Sequence, residues 1–254
     1  MRKPYSIIAP PYDVTSGGIR VMYALRSWLE IKGEIVYMNA KMETDFIAVY
    51  PEIYHGNEAN AGTVVRYILN KPGVMASYGE PGPSVFPIND KLFYFSRLFA
   101  PSDTPDEQIM FLPVLNLQIF KDTGSKHRKN SCVLVGKGQE TEEFTKTMFH
   151  LTREFALDQQ KLAEYLNTCD VMYSYDQVSA MFEIARLCGV KVVVIPSGQY
   201  SRRDLEKYEP GVEGITYGLG NTNKTFNSSE FREKYLGLRD LFSRKIDRFI
   251  EMTQ

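Results

Sequence analysis

The hydrophobic pattern of this chain alternates between short, almost wholly apolar runs and longer stretches with helical spacing. In the second half, residues 169–174 (CDVMYS) and 191–196 (KVVVIP) are apolar runs typical of strands covered on both faces. Between them, apolar side chains recur at helical spacing until Gly189, a residue suited to the left-handed geometry of a helix end. The pattern predicts a βαβ unit with parallel strands.

The same alternation continues through the rest of the chain and predicts an α/β fold. Strands are predicted over residues 5–9, 34–39, 46–51, 109–115 and 131–135, and helices over residues 19–29, 60–69, 141–149, 159–167 and about 229–252. The polar residues 121–130 (KDTGSKHRKN) are typical of an interdomain linker. We therefore expect an N-terminal domain over residues 1–128 and a C-terminal domain over residues 129–254.

The composition is that of an ordinary globular protein. The 254 residues are 43% hydrophobic and 24% charged, which suits one large or two small domains and does not favour disorder. The 30 basic and 31 acidic residues nearly balance, so the chain lacks the basic footprint of a nucleic-acid-binding protein. We therefore expect no nucleic-acid partner.

The cysteines and the hydropathy bear on the compartment. Cys132, Cys169 and Cys188 fall inside apolar patterns without a Cys-x-x-Cys spacing, which indicates buried thiols rather than disulfides or a zinc site. The sequence has neither an apolar run of about 18 residues nor a leader of the signal-peptide type. We therefore expect a cytoplasmic protein with at most peripheral membrane contact.

Polar residues follow both strands of the βαβ unit. Open parallel sheets bind ligands where loops leave the carboxyl ends of the strands, and here the loops are Tyr175-Asp176-Gln177 and Ser197-Gly198. Glu183 lies about two helical turns beyond Asp176, so both carboxylates can face one side of the helix. Alternatively, Asp176 caps the helix and Glu183 lies on a solvated face. The spacing leaves both interpretations open.

Two glycine-containing loops also follow predicted strands. Gly17-Gly18 precedes the first helix, where glycine lets a ligand approach the backbone and the helix N-terminus favours anions such as phosphate. Gly136-Lys137-Gly138 follows residues 131–135, and glycines that flank a lysine can wrap a diphosphate. Each loop is equally well explained as a plain turn.

Glu52 and His55 stand just beyond the strand predicted over residues 46–51. Their position after a strand makes both of them candidates for the ligand crevice. The imidazole of His55 suits either base chemistry or an ordinary surface loop. The sequence leaves these two roles open.

Two groups of residues resemble the motifs of a known family. One comprises Tyr175-Asp176, Ser179, Glu183 and Cys188-Gly189, and the other comprises Tyr50-Pro51-Glu52, Gly56-Asn57 and residues 65–73 (VRYILNKPG). Together they resemble GT-B glycosyltransferases, and most closely bacterial polysaccharide and O-antigen-type glycosyltransferases. The commoner family pattern has two glutamates about two helical turns apart, and Tyr175 stands in place of the first. Ile184 replaces the alanine that usually follows the second.

The resemblance implies a fold and a reaction in polysaccharide biosynthesis. It implies two Rossmann-like domains with parallel sheets facing a cleft, with the last helix packing back on the first domain. The reaction would be metal-independent transfer of a hexosyl or deoxyhexosyl group from a nucleotide-sugar donor to a glycan or lipid-linked glycan acceptor, without a cofactor. The chain has no Asp-x-Asp motif, which argues against the metal-dependent GT-A arrangement.

The resemblance also implies roles for individual residues. The donor-binding residues would be Gly17, Gly18, Lys137, Tyr175, Ser179, Glu183 and Ser197. Glu183 and Asp176 would serve catalysis, and the base that acts on the acceptor would be Glu52, His55 or Asp13. The choice among these three stays open.

Two other classes of protein compete with a glycosyltransferase. A nucleotide- or sugar-binding subunit on the same fold, without catalysis, is favoured by the missing first glutamate and the short chain. A doubly wound hydrolase or epimerase lacks a supporting motif, since there is no Gly-x-Ser-x-Gly elbow. Turnover of a donor would separate an enzyme from a binding subunit.

Overall fold

The computed structural model describes residues 2–77, 80–125, 127–220 and 225–254. The chain forms two units, one made of Met1–Val114 with Gly237–Gln254 and the other of Leu115–Leu236. Each unit contains a five-stranded parallel sheet and helices, which confirms the predicted α/β class.

The first unit is built on a parallel sheet that begins almost at the N-terminus. Its elements are β1 (Tyr5–Ile7), α1 (Gly17–Ile31), β2 (Val36–Met38), β3 (Ile47–Pro51), β4 (Thr63–Ile68), the antiparallel pair β5 (Ala76–Ser77) and β6 (Glu80–Pro81), and β7 (Lys91–Tyr94). A 3-10 helix, Asp106–Gln108, follows β7. The sheet order is β2-β1-β3-β4-β7, with all neighbours parallel. The first three predicted strands and the first helix are confirmed.

Helix α1 begins at a serine cap and buries one apolar face. The Ser16 side chain accepts a hydrogen bond from the backbone N–H of Ile19, which satisfies a donor that the helix leaves free. Leu25 and Leu29 are fully buried in a core that also contains Phe249 from the last helix. This packing holds α1 against the core of the first unit.

The helix predicted over residues 60–69 is wrong, because these residues form β4 instead. Thr63, Val64 and Val65 are β-branched and lose side-chain freedom in a helix. The strand lies between β3 and β7 and is buried as far as Ile68. Burial on both faces removes the alternation that distinguishes a strand from a helix in the sequence.

The second unit repeats the arrangement with shorter helices. Its elements are β8 (Asn130–Leu134), a 3-10 helix (Glu143–Thr147), β9 (Phe149–His150), α2 (Arg153–Ala156), α3 (Gln159–Leu166), β10 (Cys169–Ser174), α4 (Met181–Leu187), β11 (Lys191–Val194), α5 (Arg202–Leu205) and β12 (Ile215–Tyr217). The sheet order is β12-β11-β10-β8-β9, with all neighbours parallel. The predicted βαβ unit is confirmed as β10, α4 and β11.

Two other predicted elements are wrong. Residues 141–149 were expected to be helical, but the chain tightens into a short 3-10 helix before Phe149 and His150 pair with β8. Residues 109–115 were expected to form a strand, but the structure shows an isolated bridge between Ile109 and Tyr94. In both segments the local apolar pattern is too short to decide the hydrogen-bond partner.

The last helix, α6 (Ser228–Thr253), confirms the helix predicted at about 229–252 and belongs to both units. The first unit gives way to the second between Val114 and Leu115, whereas the sequence predicted the domain boundary at residue 128. The polar segment 121–130 lies within the second unit, where Arg128 pairs with Asp122 at 2.6 Å. Its polarity therefore serves hydrogen bonds inside the unit.

Both sheets have the same strand order when the strands are numbered from the start of each unit. In each, the first strand lies between the second and the third. Such sheets bind ligands outside the carboxyl ends of the first and third strands, where the chain order reverses. These switch points lie between β1 and β3 and between β8 and β10.

The sequence also led to expectations about the state of the cysteines and about membrane-spanning segments. Cys132, Cys169 and Cys188 are buried free thiols, as predicted. No helix in the part of the chain that the structure describes combines the length and the apolarity needed to cross a bilayer.

Candidate functional site

The two loops at the switch point of the second sheet contact each other through an ion pair. Gly136-Lys137-Gly138 follows β8, and Tyr175-Asp176-Gln177 follows β10, the neighbouring parallel strand. The Lys137 ammonium lies 2.7 Å from Asp176 Oδ2 and donates a second hydrogen bond to the carbonyl of Val178 at 3.0 Å. Asp176 is buried, whereas the Lys137 side chain is 36% exposed. The tertiary structure thus joins two predicted site residues.

The glycines of this loop are required by its contacts. Gly136 has φ +54°, and a Cβ atom there would lie 2.6 Å from Asp176 Oδ2. A Cβ atom at Gly138 would lie 2.7 Å from the Tyr175 Cβ and closer still to the Tyr175 carbonyl. The loop that the sequence suggests for a diphosphate therefore wraps around the chain's own Asp176.

Gly138→Ala is expected to lower the free energy of unfolding by about 1–3 kcal/mol, because the new methyl group overlaps the backbone of Tyr175. Urea denaturation followed by circular dichroism measures the change. Gly237→Ala is the matched control, since nothing lies within 4 Å of a Cβ atom at that helical position. Equal stability of the Gly138 variant and the parent would show that the two loops separate without cost.

Tyr175 holds the segment that follows the glycine loop. Its buried hydroxyl accepts a hydrogen bond from the backbone N–H of Glu142 at 2.8 Å and lies 2.8 Å from Thr145 Oγ1. Thr145 Oγ1 in turn lies 2.7 Å from Glu140 Oε1. The phenol of Tyr175, which was predicted to bind the nucleotide-sugar donor, is thus hydrogen-bonded within the second unit.

Gln177 is a site residue that sequence reasoning missed. It is 1% exposed, and its Oε1 accepts hydrogen bonds from Ser197 Oγ at 3.0 Å and Tyr200 N at 2.9 Å. Its Nε2 lies 3.4 Å from Tyr217 Oη. Gln177 therefore ties the loop that follows β10 to the loop that follows β11, which contains predicted residue Ser197, and to Tyr217 at the end of β12. Only its place beside Asp176 in the sequence could have indicated it.

Glu183 lies in the interior of the second unit, so the interpretation that placed it on a solvated face is wrong. Its carboxylate is 3.9 Å from the guanidinium of Arg186, and both residues are buried. Burial is the main cause, and the nearby Glu183 carboxylate the second, of a Tyr208 hydroxyl pKa raised well above its usual range. Burial also lowers the pKa of Arg186. The structure gives Glu183 a place in a buried charged cluster with Arg186 and Tyr208.

The interpretation of Asp176 as the cap of helix α4 is also wrong. The helix begins at Met181, and the hydroxyl of Ser179 accepts a hydrogen bond from the Met181 N–H at 3.2 Å. Asp176 Oδ1 instead accepts from the Val178 N–H at 3.2 Å within the preceding turn. Ser179, which was predicted to bind the nucleotide-sugar donor, therefore lies just before the first residue of α4.

In the first unit, Glu52 lies at the β1–β3 switch point. It follows β3 directly, and its Oε2 accepts a hydrogen bond from the Leu69 N–H at 2.9 Å. Glu52 is buried, and this burial raises the pKa of its carboxyl to about 7. A Cβ atom at Gly18 would lie 3.4 Å from Leu69 Cδ1. Helix α1 begins at Gly17, so the predicted Gly17-Gly18 loop is the first turn of that helix, and Gly18 and Glu52 both lie beside Leu69, the residue that follows β4.

The two other candidates for the base have local roles in the structure. His55 is exposed, and its Nε2 lies 3.0 Å from the carbonyl of Pro81. Asp13 Oδ1 accepts hydrogen bonds from the backbone N–H and the hydroxyl of Thr15, at 2.8 and 2.7 Å. Of the three candidates, Glu52 is the buried carboxyl whose pKa is raised. Within the described ranges, no group of three or more His, Cys, Asp or Glu residues is placed to hold a metal ion.

Comparison with known proteins leaves the family of this chain open. No protein-family model matches it, and no curated protein matches it. Among solved structures, an uncharacterized protein from Klebsiella pneumoniae is similar with a TM-score of 0.45 and 11% identity, over 86% of this chain and 93% of that one. The Escherichia coli RcsC C-terminus, containing a linker region and a phosphoreceiver domain, has a TM-score of 0.24 and 11% identity, over 97% and 96%.

Proposed function

We propose that the protein is a metal-independent glycosyltransferase with a GT-B architecture, acting on a nucleotide-sugar donor and a glycan or lipid-linked glycan acceptor. The observation that carries the proposal is the lysine between two glycines at the β8–β10 switch point. This position is where a doubly wound sheet binds its ligand, and the ammonium can neutralise the leaving diphosphate. The resemblance of the βαβ unit to glycosyltransferases supplies the reaction class.

Glu52 suits the role of the base in this proposal. Sugar transfer with inversion needs a group that accepts the proton of the acceptor hydroxyl. A base is most effective when its pKa is near the working pH, and burial brings that of Glu52 to about 7. Its place at the switch point of the first sheet puts it where that sheet would receive a ligand. Glu52 is therefore our candidate for the acceptor base.

The donor site is tested by thermal stability in the presence of UDP, GDP, dTDP and their sugar conjugates. A compound that binds only the folded state is expected to stabilise it by about 2.7 kcal/mol at a hundredfold excess over its Kd. Lys137→Ala should abolish the shift. Lys191→Ala removes a lysine from the opposite end of the same sheet, where it pairs with Asp170, and should keep the shift. A shift that survives in Lys137→Ala would place the nucleotide elsewhere.

A nucleotide-sugar-binding subunit without catalysis is the second candidate function. The buried contact between Glu183 and Arg186 favours it, because a carboxylate enclosed in this way is not presented to a donor sugar. Donor hydrolysis in a coupled assay for released nucleoside diphosphate separates the two functions. Binding of a nucleotide-sugar without any release of diphosphate, both alone and with glycan and lipid-linked glycan acceptors added, would support the subunit and contradict the transferase.

A further inference from the structure

The glycine loop of the second unit already holds an anion, the carboxylate of Asp176. Its Oδ2 lies 2.7 Å from the Lys137 ammonium and 3.4 Å from the Lys137 backbone nitrogen, which donates to it. Gly136 leaves just enough room for this oxygen, since a Cβ atom there would lie 2.6 Å from it. An ammonium, a backbone N–H and a glycine that allows close approach are the groups with which proteins also bind phosphate oxygens.

The two partners of this ion pair differ in their freedom to move. Asp176 is 4% exposed, and its second oxygen is held by the N–H of Val178 at 3.2 Å. Lys137 is attached to an exposed loop, and more than a third of its side chain is open to solvent. When a competing anion binds, we therefore expect the Lys137 side chain to move and the Asp176 carboxylate to stay in place.

We propose that Asp176 is an internal counter-ion that holds Lys137 when no ligand is bound and competes with the phosphates of an incoming ligand. This inference rests on the proposed function for the identity of the ligand, a nucleoside diphosphate, but not for the competition itself. Each binding event breaks the Lys137–Asp176 pair and brings a second anion close to Asp176. Both effects lower the affinity for phosphates, so Asp176 sets how strongly the site holds its ligand and how readily it releases the product.

Asp176→Asn is the test of this competition, because the amide keeps the shape of the side chain and removes its charge. The Kd values of inorganic pyrophosphate, UDP, GDP and dTDP are measured by isothermal titration calorimetry. We expect at least about tenfold tighter binding of pyrophosphate to the variant than to the parent. Asp170→Asn is the matched control: it removes the same charge from β10, the strand that Asp176 follows, next to Lys191, and should leave every Kd unchanged.

The outcomes separate this inference from the proposed function. Tighter binding of pyrophosphate to Asp176→Asn, without binding of any nucleoside diphosphate in preference to it, supports the counter-ion and contradicts a nucleotide donor. Binding of a nucleoside diphosphate that is equal or weaker in Asp176→Asn overturns the counter-ion and leaves the donor site standing. Absence of binding by both proteins overturns both.

A measurement on the unaltered protein covers the case in which the variant fails to fold. In a sample with ¹⁵N-labelled lysine, the ammonium signal that Asp176→Asn or Lys137→Ala removes belongs to the ion pair. If neither variant folds, saturation with pyrophosphate is followed instead through all slowly exchanging lysine ammonium signals. A pyrophosphate-dependent shift of one such signal supports the competition, and unchanged signals at saturation overturn it.

Discussion

Arg186→Met is expected to lower the free energy of unfolding by about 3–5 kcal/mol, which is the usual cost of removing one partner of a buried ion pair. Arg186 is fully buried, and Glu183 would be left in the interior without its positive neighbour. The substitution also removes the donors to the carbonyls of Gly211 at 2.8 Å and Glu213 at 3.2 Å. The centroid of the Phe231 ring lies 4.0 Å from the guanidinium carbon, and methionine can largely keep this apolar contact. Urea denaturation followed by far-UV circular dichroism measures the loss.

A double-mutant cycle isolates the ion pair from the other contacts of Arg186. Glu183→Gln with Arg186→Met should be more stable than Arg186→Met alone, because no uncompensated charge stays buried. Arg203→Ala, an exposed arginine in the same unit, is the control and should change stability by less than about 0.5 kcal/mol. If the double variant is no more stable than Arg186→Met, the pair is not the source of the effect. The cycle also tests whether Glu183 has a structural role in addition to the predicted one.

Glu52→Gln is expected to stabilise the protein above pH 7 by about 3 kcal/mol. Burial raises the pKa of Glu52 from 4.5 to about 7, so the folded state binds this proton more tightly than the unfolded state. The stability that the folded state gains from binding this proton is complete below pH 4.5, falls as the pH rises from 4.5 to about 7, and is absent above pH 7. Glutamine stays neutral throughout and can accept the hydrogen bond of Leu69 N. Urea denaturation of both proteins between pH 4.5 and 8.5 gives the difference directly.

The same variant should lose its turnover if Glu52 is the acceptor base. Neutral glutamine cannot accept a proton, so transfer should fall by about 10²–10⁴-fold while donor binding is retained. Higher stability together with lost activity is the signature of a group held in an unfavourable charge state for function. Glu43→Gln, an exposed carboxylate in the same unit, is the control and should change neither property. A Glu52→Gln protein with full transfer activity and the expected gain in stability would give Glu52 a structural role alone.

The sequence predicted the secondary structure best where local signals agree. The strands at residues 169–174 and 191–194, the helix between them and the serine-capped α1 are recovered because apolar runs, helical spacing and caps act within a few residues. β4 was predicted as a helix because a strand buried on both faces shows no alternation. Whether such a segment becomes a strand depends on the neighbours that pair with it, here β3 and β7.

The sequence by itself determined the α/β class, the βαβ unit and the loops in which the candidate residues lie. Only the tertiary structure decided that Lys137 meets Asp176, that Glu183 is enclosed with Arg186, and that burial brings the pKa of Glu52 to about 7. Strand order brings together loops that are far apart in the chain, and burial depends on everything packed around a side chain. Periodicity is a local property and carries neither kind of information.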